Sequence, residues 1–289
     1  MRRVYVAGAF DNPGPEHLRF LQEAARLGPV TLVLSSDEDI ARVQGTPKTG
    51  LAERRYFFEA LRYVDKVEAA PPGHSPDSLD PWLGEGDEGP LWVVGTRPGF
   101  AAGESNAARR SWSDSRGVEL RVLPDSLLEG FPYEAPPLAP PLAAPNDGPA
   151  LAARPRVVVT GCYDWLHTGH LRFFEEASAF GELNVVIGSD KNVRLLKGEG
   201  HPLFPETQRR YMVGSFRSVA RCLVSTGEGW LDAEPEIRAL GARRYVVNED
   251  GDKDEKRRYC EELGIEYIVL KRAPKEGLPR RSSTDLRGY

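Results

Sequence analysis

Apolar and β-branched runs separated by amphipathic stretches set the rhythm of this chain. Arg156 to Thr160 (RVVVT) predicts a strand, and His170 to Phe180 then places Leu171, Phe174, Ala177 and Ser178 on one helical face. Leu183 to Ile187 predicts the next strand. Pro205 opens a helix where its missing N–H does no harm. Arg221 to Val224, Tyr245 to Val247 and Tyr267 to Leu270 are short and β-rich. Strands alternating with helices predict right-handed βαβ crossovers and a parallel sheet buried on both faces. Ligands then belong at the C-terminal edge of the strands.

The same rhythm occurs twice. GAFDNPGPEHLRFLQEAARLG, from Gly8, lies over GCYDWLHTGHLRFFEEASAFG, from Gly161, without a gap. Further on, LVLSSDEDI matches VVIGSDKNV, ERRYFFEALRYVDKV matches QRRYMVGSFRSVARC, and WVVG matches YVVN. Similarity kept in order through both halves predicts a duplicated domain. Between the halves, Phe131 to Pro155 holds eight prolines and no periodicity, which predicts an extended, semi-rigid linker. The expected organisation is α/β: two tandem Rossmann-like (HUP-type) parallel-sheet domains, residues 1–130 and 156–289, joined by a Pro/Ala-rich linker over 131–155.

Composition narrows the class. The 289 residues suit two domains of ordinary size. The first residues lead straight into a strand-like run, and no apolar stretch is long enough to span a bilayer, so a cytoplasmic protein with no membrane partner is expected. A net charge of −5 argues against bulk attraction to nucleic acid. Cys162, Cys222 and Cys260 are widely spaced with no CxxC pair, which fits a reducing compartment and no metal site.

The segment GCYDWLHTGH carries the chemistry. Gly161 and Gly169 allow close approach of backbone to a ligand, and a helix beginning near Thr168 points free N–H groups at the same spot. His167 and His170 are spaced to face one pocket, where imidazole N–H groups can serve a phosphoryl transition state. This segment resembles the HxGH signature of the nucleotidylyltransferase superfamily, in particular its cytidylyltransferase-like members. The other landmarks of that family follow in order. Lys197 resembles its post-strand lysine, Glu206 with Arg209 and Arg210 its ExxR helix start, and Trp230 its tryptophan. Asn248-Glu249-Asp250 resembles its acidic stretch, and Arg272 with Ser282-Ser283-Thr284-Asp285 its closing helix start.

The resemblance implies transfer of a nucleoside monophosphate, CMP favoured, from a triphosphate to a small phosphorylated acceptor, with pyrophosphate released and Mg²⁺ escorting the triphosphate. It implies catalytic roles for His167, His170, Lys197 and Arg209. Nucleotide binding would fall to Gly161, Cys162, Tyr163, Asp164, Gly169, Asn248, Asp250, Arg272, Ser282, Ser283 and Thr284, and acceptor binding to Trp230 and Arg210, with no protein-held metal. Asp164 is expected first of all to brace its loop. Two departures stand out: Cys162 replaces a hydroxyl residue, and NEDGD replaces GDDW. The same scaffold also resembles adenylyltransferases acting on flavin or sugar phosphates, and a non-catalytic nucleotide-binding regulator is the alternative of a different class. A class I aminoacyl-tRNA synthetase is disfavoured by the missing KMSKS loop and the low basicity.

The first copy is altered. Gly14 stands for His167, Glu16 for Gly169 and Gln44 for Lys197, the closing serine-threonine motif has no counterpart, and only His17 answers His170. Residues 1–130 are therefore expected to be non-catalytic, buttressing the second copy as an intramolecular pseudo-dimer or binding a metabolite, with homo-oligomerisation left open. His74 and His201 are expected to be ordinary surface residues, Cys222 and Cys260 buried small apolar ones, and Arg257 and Arg258 part of a solvated face. Trp230 is balanced between core edge and stacking platform.

Overall fold

The computed structural model describes residues 2–84, 89–96, 106–136 and 154–283. The chain divides into two compact units, Met1–Phe131 and Pro132–Tyr289. In the first, strands β1 (Val4–Gly8), β2 (Val30–Leu34), β3 (Lys66–Ala69), β4 (Leu91–Gly95) and β5 (Glu119–Leu123) form a parallel sheet in the order β3-β2-β1-β4-β5. In the second, β6 (Arg156–Gly161), β7 (Glu182–Ile187), β8 (Arg221–Val224), β9 (Arg244–Asn248) and β10 (Glu266–Leu270) repeat that order as β10-β9-β6-β7-β8. The sheet order reverses beside β1 and β6, so the loops leaving these two central strands open at the topological switch point.

Burial explains the apolar runs. β6 and β7 pair along their full length, and Val157, Val158, Val159, Val185 and Val186 are all but inaccessible. Helices α5 (Thr168–Ser178) and α7 (Glu206–Gly214) each bury an apolar stripe, Leu171, Phe174 and Ala177 on one and Tyr211, Met212 and Val213 on the other. Helices α8 (Glu234–Leu240) and α9 (Asp254–Leu263) pack Ile237, Leu240, Tyr259 and Cys260 with Val158, Tyr245 and Val247. One further helix follows the second strand of each unit: α6 (Asp190–Lys197) after β7 answers α2 (Asp37–Gln44) after β2, each opened by a serine whose side chain accepts a backbone N–H. Helices α1 (Pro15–Ala25), α3 (Leu51–Glu59) and α4 (Asn106–Arg116) complete the first unit.

The repeat extends to unusual backbone. Gly28 and Gly181 adopt φ of +152° and +156°, and a Cβ at either would fall 2.4 Å and 2.0 Å from a carbonyl oxygen, so only glycine fits. The alternation breaks at one place. Between β8 and β9 the second unit carries α8, whereas the described residues between β3 and β4 hold only a short 3-10 turn, Asp80–Trp82. The run PPGHSPDSLDPW explains this, because its prolines and glycine interrupt any helical pattern.

Part of the proline-rich stretch is docked. The Tyr133 hydroxyl accepts the Cys222 N–H at 2.9 Å on edge strand β8, its ring covers Gly214, and the Pro136 carbonyl accepts from Arg221 Nε at 2.6 Å. The first contact satisfies a backbone N–H that an edge strand would otherwise leave open, and the second engages an edge-strand side chain. Residues 137–153 of the expected linker lie outside the described residues. Among the described residues no helix is long and apolar enough to cross a membrane.

Candidate active site

The loop leaving β6 turns through Tyr163, whose φ of +49° is left-handed, and enters α5 at His167. Phe10 in the first unit holds the same conformation, φ +48°. Such a backbone costs on the order of 1 kcal/mol. Its presence in the copy without the paired histidines makes it a property of the loop fold rather than of the chemistry.

His167 caps the helix: its Nδ1 accepts the Gly169 N–H at 3.1 Å. A neutral ring accepting at Nδ1 carries its proton on Nε2, which makes Nε2–H a donor. The His170 ring stacks on it, centroids 3.9 Å apart and planes 24° from parallel, and Tyr163 meets His170 edge-on at 5.3 Å. Burial holds the His170 imidazole well below its ordinary range, helped by His167 and by the cations Arg272 and Lys197, so the ring is neutral at pH 7. Its Nδ1 is buried with no partner among the described residues. Two further side chains of the expected set meet here. Lys197, the exposed last residue of α6, acts electrostatically on both His170 and Cys162, and Arg272 leans on His170 from beyond β10.

Gly169 is explained by His167. A Cβ there would lie 3.0 Å from the His167 ring and 4.0 Å from the Arg281 carbonyl. In the first unit Gly14 replaces that histidine, the crowding disappears, and Glu16 is tolerated at the glycine's position. The two differences between the copies are thus sterically compatible with each other. There, His17 Nδ1 accepts the Gly14 N–H at 3.1 Å, and its ring rests edge-on against Phe10.

Burial pulls His17 from 6.5 to about 4, against the opposing pull of Glu16. Below its ordinary value the unfolded chain binds a proton that the folded chain refuses, so stability is complete above pH 6.5 and falls as pH drops toward 4. The loss attributable to this ring amounts to about 3 kcal/mol. His17→Gln is expected to flatten that part of the curve in urea unfolding of the full chain at neutral and acidic pH; an unchanged acid slope would contradict it.

Several expected site residues serve the scaffold instead. Asp164 accepts the Leu203 and Phe204 N–H groups at 2.7 and 3.0 Å, with His201 3.5 Å away, so it braces the following loop. Asp11 does the same for Lys48 and Thr49. Arg209, expected as a catalytic cation, is hydrogen-bonded into the scaffold. Its side chain is wholly buried, with Nε on the Phe204 carbonyl, Nη1 on the Cys162 carbonyl and Nη2 on Asp190 Oδ1, at 2.9, 2.8 and 2.7 Å. Arg54 repeats this brace with the carbonyls of Thr49, Ala9 and Ser35 and with Asp37. Arg210, expected at the acceptor, is turned the other way, over the Tyr133 ring at 5.7 Å. One residue further along a helix is about 100° of rotation, so the two neighbouring arginines face different surroundings.

The remaining residues converge on the mouth. Asn248 closes β9, and Asp250 is engaged by Arg272 at 2.5 Å, so two expected nucleotide ligands are paired with each other. The Glu249 carboxylate also accepts the Arg272 N–H. Ser283 Oγ donates to the Trp165 carbonyl at 3.2 Å, bringing Ser282 and Ser283 beside the α5 entrance; Thr284 lies outside the described residues. Trp230 is 62% exposed with Lys253 over its ring, which rules out the core-edge role. Cys162 keeps its thiol up by burial, opposed by Lys197 and Arg209. Cys222 and Cys260 are buried, and Arg257 and Arg258 are exposed. His74 was missed as more than a surface residue: it donates to the Ser78 carbonyl and packs against Trp82.

Comparison with known proteins agrees with this geometry. Residues 158–287 match the family model described as cytidylyltransferase-like. An FAD synthase of Archaeoglobus profundus is 31% identical over 136 residues, covering 45% of this chain and 83% of that protein. An FAD synthase of Methanolacinia petrolearia is 38% identical over 121 residues, covering 40% and 76%. The bifunctional protein HldE of Methylococcus capsulatus is 36% identical over 106 residues, covering 36% of this chain but only 21% of that relative. Through its second unit, the chain belongs to the cytidylyltransferase-like nucleotidylyltransferase superfamily.

Proposed function

We propose that the second unit transfers AMP from ATP to a small phosphorylated acceptor, releasing pyrophosphate. An acceptor phosphate oxygen attacks the α-phosphorus, and the bond to the bridging oxygen of the leaving pyrophosphate breaks in line, with no covalent enzyme intermediate. The observation that carries this reading is the stacked His167–His170 pair at the start of α5, with Lys197 and Arg272 acting on it. In this reading His167 Nε2–H donates to the α-phosphate as charge develops, and the neutral His170 ring sits beside it without repelling either cation. Lys197 and Arg272 neutralise the polyphosphate, and Ser282, Ser283 and Thr284 hold its far end. Gly161, Cys162, Tyr163, Asp164 and Gly169 shape the phosphate loop, Asn248 and Asp250 face the nucleotide, and Trp230 offers a platform to the acceptor or base.

Mg²⁺ held on the triphosphate's own oxygens would supply charge neutralisation there; the imidazoles and cations of the site fit phosphate oxygens rather than a metal. The sequence resemblance alone favours CTP. ATP is preferred here because relatives covered over most of their length are named FAD synthase, whose product contains an adenylate. CTP stays as the second reading on the family description. The first unit, with Gly14, Glu16 and Gln44 at the three decisive positions, is read as non-catalytic.

Pyrophosphate release from ATP and from CTP, each offered with FMN, a sugar 1-phosphate and glycerol 3-phosphate, tests the proposal. Release with ATP and the flavin or sugar phosphate is expected. CTP-dependent release with glycerol 3-phosphate overturns the choice of nucleotide, and silence in every pairing overturns transfer to these acceptors.

A further inference from the structure

The first unit has kept an open cleft at the very sheet edge where its chemistry is lost. The ends of β1, β2 and β3 form the floor, at Ala7, Val33 and Ala70, and α2 forms one wall with Ile40 and Val43. The opposite wall is the segment that replaces a crossover helix, with His74 and Trp82. The cleft encloses about 250 Å³, close to the lower end of the range for small-molecule sites.

Its wall is not randomly floppy. The Tyr5 hydroxyl donates to the Trp82 carbonyl at 2.8 Å, His74 is pinned between the Ser78 carbonyl and the Trp82 ring, and the Gly73 N–H is anchored on Asp39. The cleft is therefore held open by specific contacts.

Its charges are unevenly satisfied. Asp39 accepts from Ser36, Gly73 and Arg42, and Asp77 accepts from Arg109 Nε at 2.9 Å, so both carboxylates are engaged. Arg109 also lines the cleft, is 2% exposed and lies over the Trp92 ring at 5.7 Å. Its Nη1 is buried without a hydrogen-bond partner among the described residues. A desolvated guanidinium donor left unpaired is costly, and an incoming oxyanion would complete it.

We propose that this cleft binds a small organic molecule carrying one oxyanion, a carboxylate or a phosphate monoester, with the anion on Arg109 and the body between Trp82 and the aliphatic floor. A free cation is disfavoured because both carboxylates already have partners. Occupancy of the cleft needs nothing from the chemistry of the second unit.

Isothermal titration of the full chain with phenyl phosphate and with benzoate tests this, benzyl alcohol serving as the uncharged analogue. Saturable binding of at least one anion is expected, weakened about tenfold in Arg109→Gln and for benzyl alcohol. Val43 lines the mouth and is 80% exposed, so substitutions there leave the fold intact even if Arg109→Gln fails to fold. Val43→Glu is expected to weaken the anion and Val43→Lys to tighten it, each about threefold. The stronger of the two probes tells phosphate ester from carboxylate. Benzyl alcohol binding as tightly as the anions, affinity indifferent to both Val43 variants, or no saturation by about 10 mM would each overturn the proposal.

Discussion

His167→Ala is expected to lower the rate of nucleotidylyl transfer about 100- to 1000-fold, the usual cost of removing one preorganised donor from developing oxyanion charge. The substitution removes three things at once: the Nε2–H donor, the cap on the Gly169 N–H and the ring that His170 stacks against. The fold is expected to survive, because Gly14 at the same position opens α1 without a side-chain cap and the first unit folds around it. His17→Ala, in the copy that lacks the second imidazole and the lysine, is expected to leave the rate unchanged while destabilising its own unit. Steady-state turnover and urea unfolding of both variants check the pair. Equal losses of activity would mean that the two copies share one reaction.

The second large effect is structural. Arg209→Ala and Arg54→Ala are each expected to cost about 3 kcal/mol, since each removes a buried guanidinium and strands the carbonyls it satisfies. The ion pairs themselves add less, because Asp190 and Asp37 are 32% and 41% exposed. The losses should be similar in the two units, because the braces are nearly superimposable in partner type. Arg54→Ala should leave the intrinsic rate alone, and Arg209→Ala should lose activity in step with the folded fraction. A fully stable Arg209→Ala protein with turnover lost would restore Arg209 to the triphosphate.

These braces show where sequence reading reached its end. HTGH after a β-branched run told of a strand, a loop and a helix whose first turn holds two imidazoles, because strand and helix periods and the glycine are local signals. The partner of a cation is not local. Arg209 meets the Cys162 carbonyl through a loop closed by Asp164, and only the folded chain brings the three together. A signal is nonetheless present in the duplication: arginine and aspartate recur in the copy that has Gly14 and Gln44 in place of the histidine and lysine, which fits a role in the fold. The cleft of the first unit was hidden for a similar reason: PPGHSPDSLDPW announces a missing helix, but the space left behind depends on Trp82 and His74 being pinned across it.

The most direct test of the central claim follows the fate of each phosphorus. ATP labelled at the α-phosphorus, incubated with the full chain and the acceptor that supports pyrophosphate release, should place its label in the acceptor product, while γ-labelled ATP should deliver all of its label to pyrophosphate. Label from the γ-position in the acceptor would make the protein a kinase and contradict nucleotidylyl transfer by the His167–His170 site.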